Sequence, residues 1–173
     1  MIYSYKAMKP ITEAGTWIAE SADVIGNVYL ARNVSVWYQC VIRGDAGKIS
    51  IGKNTNIQDQ CVLHSDPGNE LTIGEGVSIG HGAIIHGCCI HEHCLIGMGA
   101  VIMNGAKIEP YSMIAAGAVV LENTVIPSGS LAVGCPAKVI KSLSEAQREQ
   151  IIKNAQHYLA LKEEHRESRE SNG

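Results

Sequence analysis

Aliphatic residues recur at a nearly constant interval of six residues through most of the chain. The series of Ile, Val and Leu begins at Ile18 and ends at Ile126, and 14 of its 17 intervals are six residues long. This period fits neither the 3.6-residue repeat of an amphipathic helix nor the two-residue alternation of a half-buried strand. It is typical of a solenoid in which each hexad forms one short strand and one corner. Because three hexads complete a triangular coil, the 18 hexads predict about six stacked coils.

Three intervals depart from this period. The interval Ile42–Ile51 is nine residues, Leu63–Ile73 is ten and Ile85–Ile90 is five. We interpret the first two as small loops that project outward from a coil and the third as a deletion. The loops change the spacing along the chain, but the residues before them remain on one face of successive coils.

The composition agrees with a thin, repetitive core. The chain has 18 glycines, no phenylalanine and only 5% aromatic residues, so large rings do not fill a thick interior. Small or β-branched residues stand two positions before most of the register aliphatics, as a narrow prism with crowded corners requires. Four of the six cysteines occupy this inward column and are interpreted as packing thiols: Cys40, Cys61, Cys88 and Cys94.

The charge and hydropathy of the chain argue against two classes of partner. A net charge of −3 provides no basic surface for nucleic acid, and no run of 18 apolar residues could span a membrane. The first residues also lack the apolar segment of a secretory signal, which predicts a cytoplasmic protein with reduced cysteines.

The repeat ends near Gly134, and a different pattern follows. Ser144 and Gln147 have the spacing of a capping box at the start of a helix. The apolar residues after them follow a helical stripe, which predicts a helix over about 145–166 with a polar tail after it. We therefore divide the chain into a β-helix domain, residues 1–140, and a C-terminal helix and tail, residues 141–173, packed along it.

The coil geometry places three histidines where they could bind a metal ion. Residues one coil apart lie above one another at about 4.8 Å, the spacing of paired strands. His64 and His86 directly follow register aliphatics on adjacent coils, so their side chains are close enough to bind one ion. His81 lies on the next face, in the column of Asp59. A neighbouring prism in a closed ring could supply this third imidazole, which predicts a metal at a subunit boundary.

Four motifs give the chain a close resemblance to the gamma-class carbonic anhydrase family. They are HSD at His64, GHGAIIHG around His81 and His86, VIRGDAG with Arg43 and Asp45, and NIQD with Asn56, Gln58 and Asp59. The resemblance extends from about Trp17 through the C-terminal helix. Hexads alone also occur in many acyltransferases, but the four motifs together are highly specific.

The resemblance implies a left-handed parallel β-helix that assembles as a homotrimer with Zn²⁺, or alternatively Fe²⁺ or Co²⁺, at each subunit interface. It implies a lyase that reversibly hydrates carbon dioxide to bicarbonate by metal-bound hydroxide. His64 and His86 of one subunit and His81 of its neighbour would be the ligands. The resemblance further implies roles near the metal or at the interface for these residues: Asn56, Gln58 and Tyr158 at the catalytic site, Asp59 as a supporting carboxylate, and Arg43 with Asp45 as an interface pair.

Other functions remain open at this point. They are a hexapeptide acyltransferase that uses acetyl-CoA, a thioesterase-like hydrolase, and a noncatalytic, metal-stabilised trimeric scaffold. Acyltransferases usually extrude a long loop with a catalytic histidine, whereas the insertions here are short. The chain also departs from the family's archetype, because the loop after His64 is the brief segment Ser65–Glu70 instead of a long acidic loop with a proton-shuttling glutamate. Asp66 or Glu70 could substitute for that glutamate.

Overall fold

Short strands stack in register along three faces of a prism in the computed structural model, which describes residues 1–170. Successive coils pair through parallel strands, so the prediction of a mainly β, parallel β-helix is confirmed. Two long strands, β4 (Asp23–Leu30) and β6 (Val41–Ile51), continue around a corner and belong to two faces. The N-terminal strands β1 (Ile2–Tyr3) and β2 (Ile11–Thr12) pair with β4 and begin the stack.

The first two faces both continue from β6, whose first half pairs with β8 and whose second half pairs with β9 on the next coil. On the first face β6 is followed by β8 (Val62–His64), β11 (Ile84–His86), β14 (Val101–Ile102) and β17 (Val119–Val120). On the second face it is followed by β9 (Leu71–Ile73), β12 (Cys89–Ile90), β15 (Lys107–Ile108) and β18 (Val125–Ile126).

The third face has one level more than the hexads predict. Its parallel strands are β3 (Trp17–Ile18), β5 (Ser35–Val36), β7 (Asn56–Ile57), β10 (Ser78–Ile79), β13 (Leu95–Ile96), β16 (Met113–Ile114) and β19 (Ser130–Val133). The solenoid therefore has about seven turns instead of six, because β19 continues this ladder beyond the last hexad. The strand β20 (Lys138–Ser142) pairs antiparallel with β19 and spans the predicted domain boundary at residue 140.

The register aliphatics form the core of the prism. All of them are buried except Ile18, which is partly exposed on the first coil. The four cysteines predicted to be packing thiols are buried and form no disulfide. Burial raises the pKa of the Cys94 thiol to about 12, which keeps it protonated and suits a packing role.

The C-terminal helix α1 (Glu145–Glu170) packs along the third face, against β5, β7 and β10. Its start is the predicted capping box: the backbone N–H of Ser144 donates to Gln147 Oε1 at 3.1 Å, and the N–H of Gln147 donates to Ser144 Oγ at 3.3 Å. The prediction of a tail after residue 166 is wrong for residues 167–170, because the helical turns continue; residues 171–173 lie outside the described part. Within residues 1–170, no helix combines the length and apolar character needed to cross a membrane.

Candidate metal centre

Two histidine side chains meet on the first face of the prism. His64 ends β8, His86 ends β11, and the parallel register pairs them directly. The atoms His64 Nδ1 and His86 Nε2 are 2.9 Å apart. Both rings are partly buried, so the site is sheltered on one side and open on the other. The coil spacing thus brings the two predicted ligands together within one chain.

The other nitrogen of each ring has an oxygen acceptor. His64 Nε2 lies 3.0 Å from Asp45 Oδ1, and His86 Nδ1 lies 2.7 Å from Asn104 Oδ1. The direction of the Asn104 amide is set by a second bond, because its Nδ2 donates to Asp66 Oδ2 at 3.0 Å. Each outer ring nitrogen can therefore donate to its acceptor, which orients the facing nitrogens toward each other as candidate metal ligands.

Two facing imidazole nitrogens at this distance can share a proton or bind a common cation. A divalent ion bound at 2.0–2.1 Å to both nitrogens places them about 2.9–3.4 Å apart, depending on the bond angle. The observed separation of 2.9 Å lies in this range. The two rings and their acceptors consequently fit a metal ion. We name His64 and His86, with Asp45 and Asn104, the two-histidine half of the site.

His81 occupies a different corner of the same chain. It follows β10, its Nδ1 lies 2.8 Å from Asp59 Oδ2, and its Nε2 lies 3.4 Å from the hydroxyl of Tyr158. Its side chain is 45% exposed. The bond to Asp59 orients the ring, so that Nε2 has only the long contact with the Tyr158 hydroxyl. One chain therefore does not bring His81 to His64 and His86.

A short series of buried amides fixes the surroundings of His81. Asn56 Nδ2 donates to Ser78 Oγ at 2.9 Å, Gln58 Nε2 donates to Asn56 Oδ1 at 3.1 Å, and the backbone N–H of His81 donates to Gln58 Oε1 at 3.3 Å. Asn56 and Gln58 are both buried. We name His81, with Asp59, Gln58, Asn56 and Tyr158, the one-histidine half of the site, because these hydrogen bonds hold it together.

A cavity of about 380 Å³ lies beside the one-histidine half, between α1 and the corners of the prism. Gln58, His81, Met98 and Tyr158 are among the residues that line it. Burial, assisted by the negative charge of Asp59, raises the pKa of Tyr158 above its usual value. The phenol is therefore protonated at neutral pH and can donate a hydrogen bond into the cavity.

Arg43 and Asp45 form an ion pair within one chain, with Arg43 Nη1 2.6 Å from Asp45 Oδ2. Partial desolvation raises the pKa of Asp45, but the hydrogen bonds from Arg43 and His64 outweigh it and hold that pKa below its usual value. Asp45 is thus ionised at neutral pH and accepts from His64. The resemblance assigned the pair to the subunit interface; the contacts within the chain add an orienting role for Asp45.

Asn104 is a contact of the site that the sequence did not predict, and Asp66 was predicted only as a possible proton shuttle, not as a neighbour of the two histidines. Asn104 stands one coil beyond Gly87 in the same column, so extending the column by one coil would have found it. A Cβ atom at Gly87 would lie 2.2 Å from Asn104 Oδ1, and only glycine leaves room for that amide. Asp66 lies in a loop, whose path the hexad period does not determine.

Two apolar side chains are exposed beside the two-histidine half. Val62 and Ile84 point outward from β8 and β11, and they are 41% and 44% exposed. The ligand pair is thus bordered by apolar surface on the same face of the prism.

Curated relatives are similar in sequence to this chain over most of its length. A protein of Methanocaldococcus jannaschii, named a probable carbonic anhydrase, is 48% identical over 146 residues, which cover 84% of this chain and 92% of that protein. A protein of Geobacillus kaustophilus, named carbonic anhydrase, is 37% identical over 171 residues, which cover 95% of this chain and 94% of that protein. The gamma carbonic anhydrase 1 of Arabidopsis thaliana mitochondria is 40% identical over 90% of this chain.

The chain belongs to the gamma-class carbonic anhydrase family. The relatives at 37–48% identity show this membership, and the parallel solenoid agrees with the left-handed β-helix that the resemblance implies. The chain spans only 59% of the length of the Arabidopsis relative. No protein-family model matches the chain.

Solved structures with the same fold have transferase names. A Bacillus cereus protein described as a candidate acetyltransferase has a TM-score of 0.93 and 38% identity, and the match covers 95% of each chain. An N-acyltransferase from Bacillus cereus, solved with coenzyme A, has a TM-score of 0.70 at 16% identity and covers 86% of this chain and 89% of that chain. At 16% identity, the match to the N-acyltransferase shows only that the two proteins share a fold.

Proposed function

We propose that the protein is a metal-dependent carbonic anhydrase that interconverts carbon dioxide and bicarbonate at a site shared between subunits of a homotrimer. The observation that carries the proposal is the pair of facing nitrogens, His64 Nδ1 and His86 Nε2, 2.9 Å apart, with oriented partners behind both rings. Two relatives that are named carbonic anhydrases align with this chain over nearly their full length, and their names support the same reaction. The cytoplasmic location stays a prediction from the sequence.

The third ligand would come from a neighbouring chain. His81 is exposed, Asp59 orients its ring through Nδ1, and Nε2 is held only by a 3.4 Å contact with the Tyr158 hydroxyl that a metal ion could replace. The exposed apolar residues Val62 and Ile84 border the two-histidine half and give a second chain a surface to cover. A cyclic trimer closes when each chain contributes the same two surfaces, so three equivalent sites form. Each site then has the two-histidine half of one chain and the one-histidine half of the next.

Zn²⁺ is the proposed ion, with Fe²⁺ or Co²⁺ as alternatives, because imidazole suits all three. Held by His64, His86 and a neighbour's His81, such an ion would supply hydroxide at neutral pH, because it would lower the pKa of water to about 7. The overall reaction would add water to the carbon of carbon dioxide and release one proton to solvent. The ligand set and its oriented outer nitrogens fit this chemistry.

Residues of the one-histidine half would orient the reactants. Gln58 has little freedom, because its amide nitrogen donates to Asn56 and its oxygen accepts from the His81 backbone. This arrangement holds the His81 corner in place and presents the Gln58 side chain at the cavity. Tyr158 is protonated and can donate a hydrogen bond to a developing oxyanion. Its ring can also line the open side of the pocket. Asp59 keeps His81 in the tautomer that binds through Nε2.

Acyl transfer is the second candidate function, and the acetyltransferase description of a structure at 38% identity favours testing it. A histidine would then act as a general base toward acetyl-CoA. The insertions near the candidate histidines are short, with the loop after β8 spanning only residues 65–70. No long loop therefore extends a catalytic histidine away from the coils in this region.

The proposed function is tested by metal analysis of anaerobically purified protein, followed by carbon dioxide hydration assays with Zn²⁺ and with Fe²⁺. We expect one ion per chain and hydration that chelation removes and metal restores. Acetyl-CoA turnover, measured on the same preparation, separates the second candidate. Metal-free trimers that do not hydrate carbon dioxide with either ion would rule out the proposed function.

A further inference from the structure

We propose that Asp66 is an additional metal ligand, which lets a single chain bind the ion through His64, His86 and Asp66 before a neighbour supplies His81. This inference rests on the proposed function, since it concerns the same ion. Ligand atoms of these three residues all lie within 4.8 Å of one another. Among the side chains of residues 1–168, they are the one group of three or more His, Cys, Asp or Glu residues with that geometry.

The loop after β8 is held close to the coil, so Asp66 is not a freely moving surface carboxylate. The N–H of Asn69 donates to the Asp66 carbonyl at 3.0 Å and closes a tight turn. A Cβ atom at Gly47 would lie 3.1 Å from that carbonyl, and one at Gly87 would lie 2.9 Å from the Asn69 Cβ. Two glycines therefore permit the loop to lie against neighbouring coils and place Asp66 beside the histidines.

Asn104 joins the carboxylate to the imidazole pair. Its amide oxygen accepts from His86 Nδ1 at 2.7 Å, and its amide nitrogen donates to Asp66 Oδ2 at 3.0 Å. This bond uses one carboxylate oxygen and leaves Oδ1 for an ion. The same amide thus orients one imidazole ligand and one carboxylate ligand, as hydrogen-bonded neighbours of metal ligands commonly do.

Two imidazoles and one carboxylate from a single chain form a three-ligand set with open coordination positions. The carboxylate offsets one positive charge of a divalent ion at a partly exposed edge, where the two neutral imidazoles alone cannot. His81 lies on another corner and cannot serve this purpose within its own chain. Asp66 would therefore capture the ion, and the neighbour's imidazole would complete or replace its coordination when the trimer closes.

The test measures metal affinity and uptake instead of catalysis. Co²⁺ is titrated against a chromophoric chelator into the full-length wild type, His81→Ala, and the double variant His81→Ala with Asp66→Asn. The asparagine retains an oxygen acceptor for Asn104, so the loop keeps its hydrogen bond. We expect His81→Ala to bind one ion per chain and the double variant to bind it about 100-fold more weakly. Asp66→Asn alone should slow Co²⁺ uptake while the trimer still binds one ion per chain.

The matched control is Glu70→Gln in the His81→Ala background, which removes the same charge from an exposed position of the same loop. Its affinity for Co²⁺ should equal that of His81→Ala. Equal affinities of His81→Ala and the double variant would overturn the role of Asp66 and leave the proposed function intact. Wild-type protein that binds Co²⁺ through Asp66 but never hydrates carbon dioxide would instead contradict the proposed function.

Discussion

Replacement of His81 by alanine is expected to lower kcat/KM for carbon dioxide hydration by about 1000-fold or more. The reason is that an ion held by three imidazoles would stabilise the transition state by several kcal/mol, and each 1.36 kcal/mol corresponds to a factor of ten. His81 touches neither His64 nor His86 within its own chain. A loss of hydration activity would therefore indicate that His81 acts at the site of a neighbouring chain. Stopped-flow hydration assays on metal-loaded protein measure the effect.

His91→Ala is the matched control for this loss. His91 lies on the second face, where its Nε2 is 3.9 Å from Glu109 Oε2, and it has no contact with either half of the site. Its replacement should leave hydration within about twofold of the wild type, as expected for a surface change away from the site. Similar activities of His81→Ala and the wild type would show that His81 is not a ligand.

Replacement of Ile108 by alanine is expected to lower the free energy of unfolding by about 2–5 kcal/mol. Ile108 is fully buried on β15 and pairs in register with Ile90 and Ile126 on the coils before and after it. Because each coil of a solenoid contacts only its neighbours, a cavity there weakens both adjoining interfaces. Urea denaturation at a fixed protein concentration measures the change.

The control is Val125→Ala on the same face. Val125 points outward from β18 and is 55% exposed, so it loses little buried surface. We expect its free energy of unfolding to change by about 0.5 kcal/mol or less. Equal losses for the two variants would contradict the assignment of the register aliphatics to the core.

The hexad period was sufficient to predict the solenoid, because each aliphatic position has the same inward environment on every coil. It placed His64 and His86 side by side and separated them from His81, which follows directly from which face each residue occupies. The number of turns was underestimated, since β19 pairs with β16 although the next register position after Ile126 is Ala132 and not a larger aliphatic residue. Pairing of backbone groups continues where the side-chain pattern stops.

Contacts that cross from a loop to a coil could not be predicted from the period. Asp66 reaches the site through a turn closed by Asn69, and Asn104 reaches it through the space left at Gly87. The Asp66 contact depends on the path of an insertion between hexads, which the repeat does not constrain, whereas the Asn104 contact lies in a regular column and follows from the column of Gly87 extended by one coil. The end of the helix was also predicted too early. The residues after Arg166 are polar, and without apolar residues the helical stripe does not distinguish further helical turns from a tail.

The central claim is that the metal site is shared between chains, and mixed trimers of two inactive variants test it most directly. His64→Ala lacks the two-histidine half but keeps His81, whereas His81→Ala has the reverse defect. When equal amounts assemble at random, about a quarter of the interfaces pair two intact halves. Co-expression of the two variants should therefore restore about a quarter of the wild-type hydration activity. A mixture of His64→Ala and His86→Ala, which damage the same half, should restore none. No recovery in the first mixture, or equal recovery in both, would contradict a shared site.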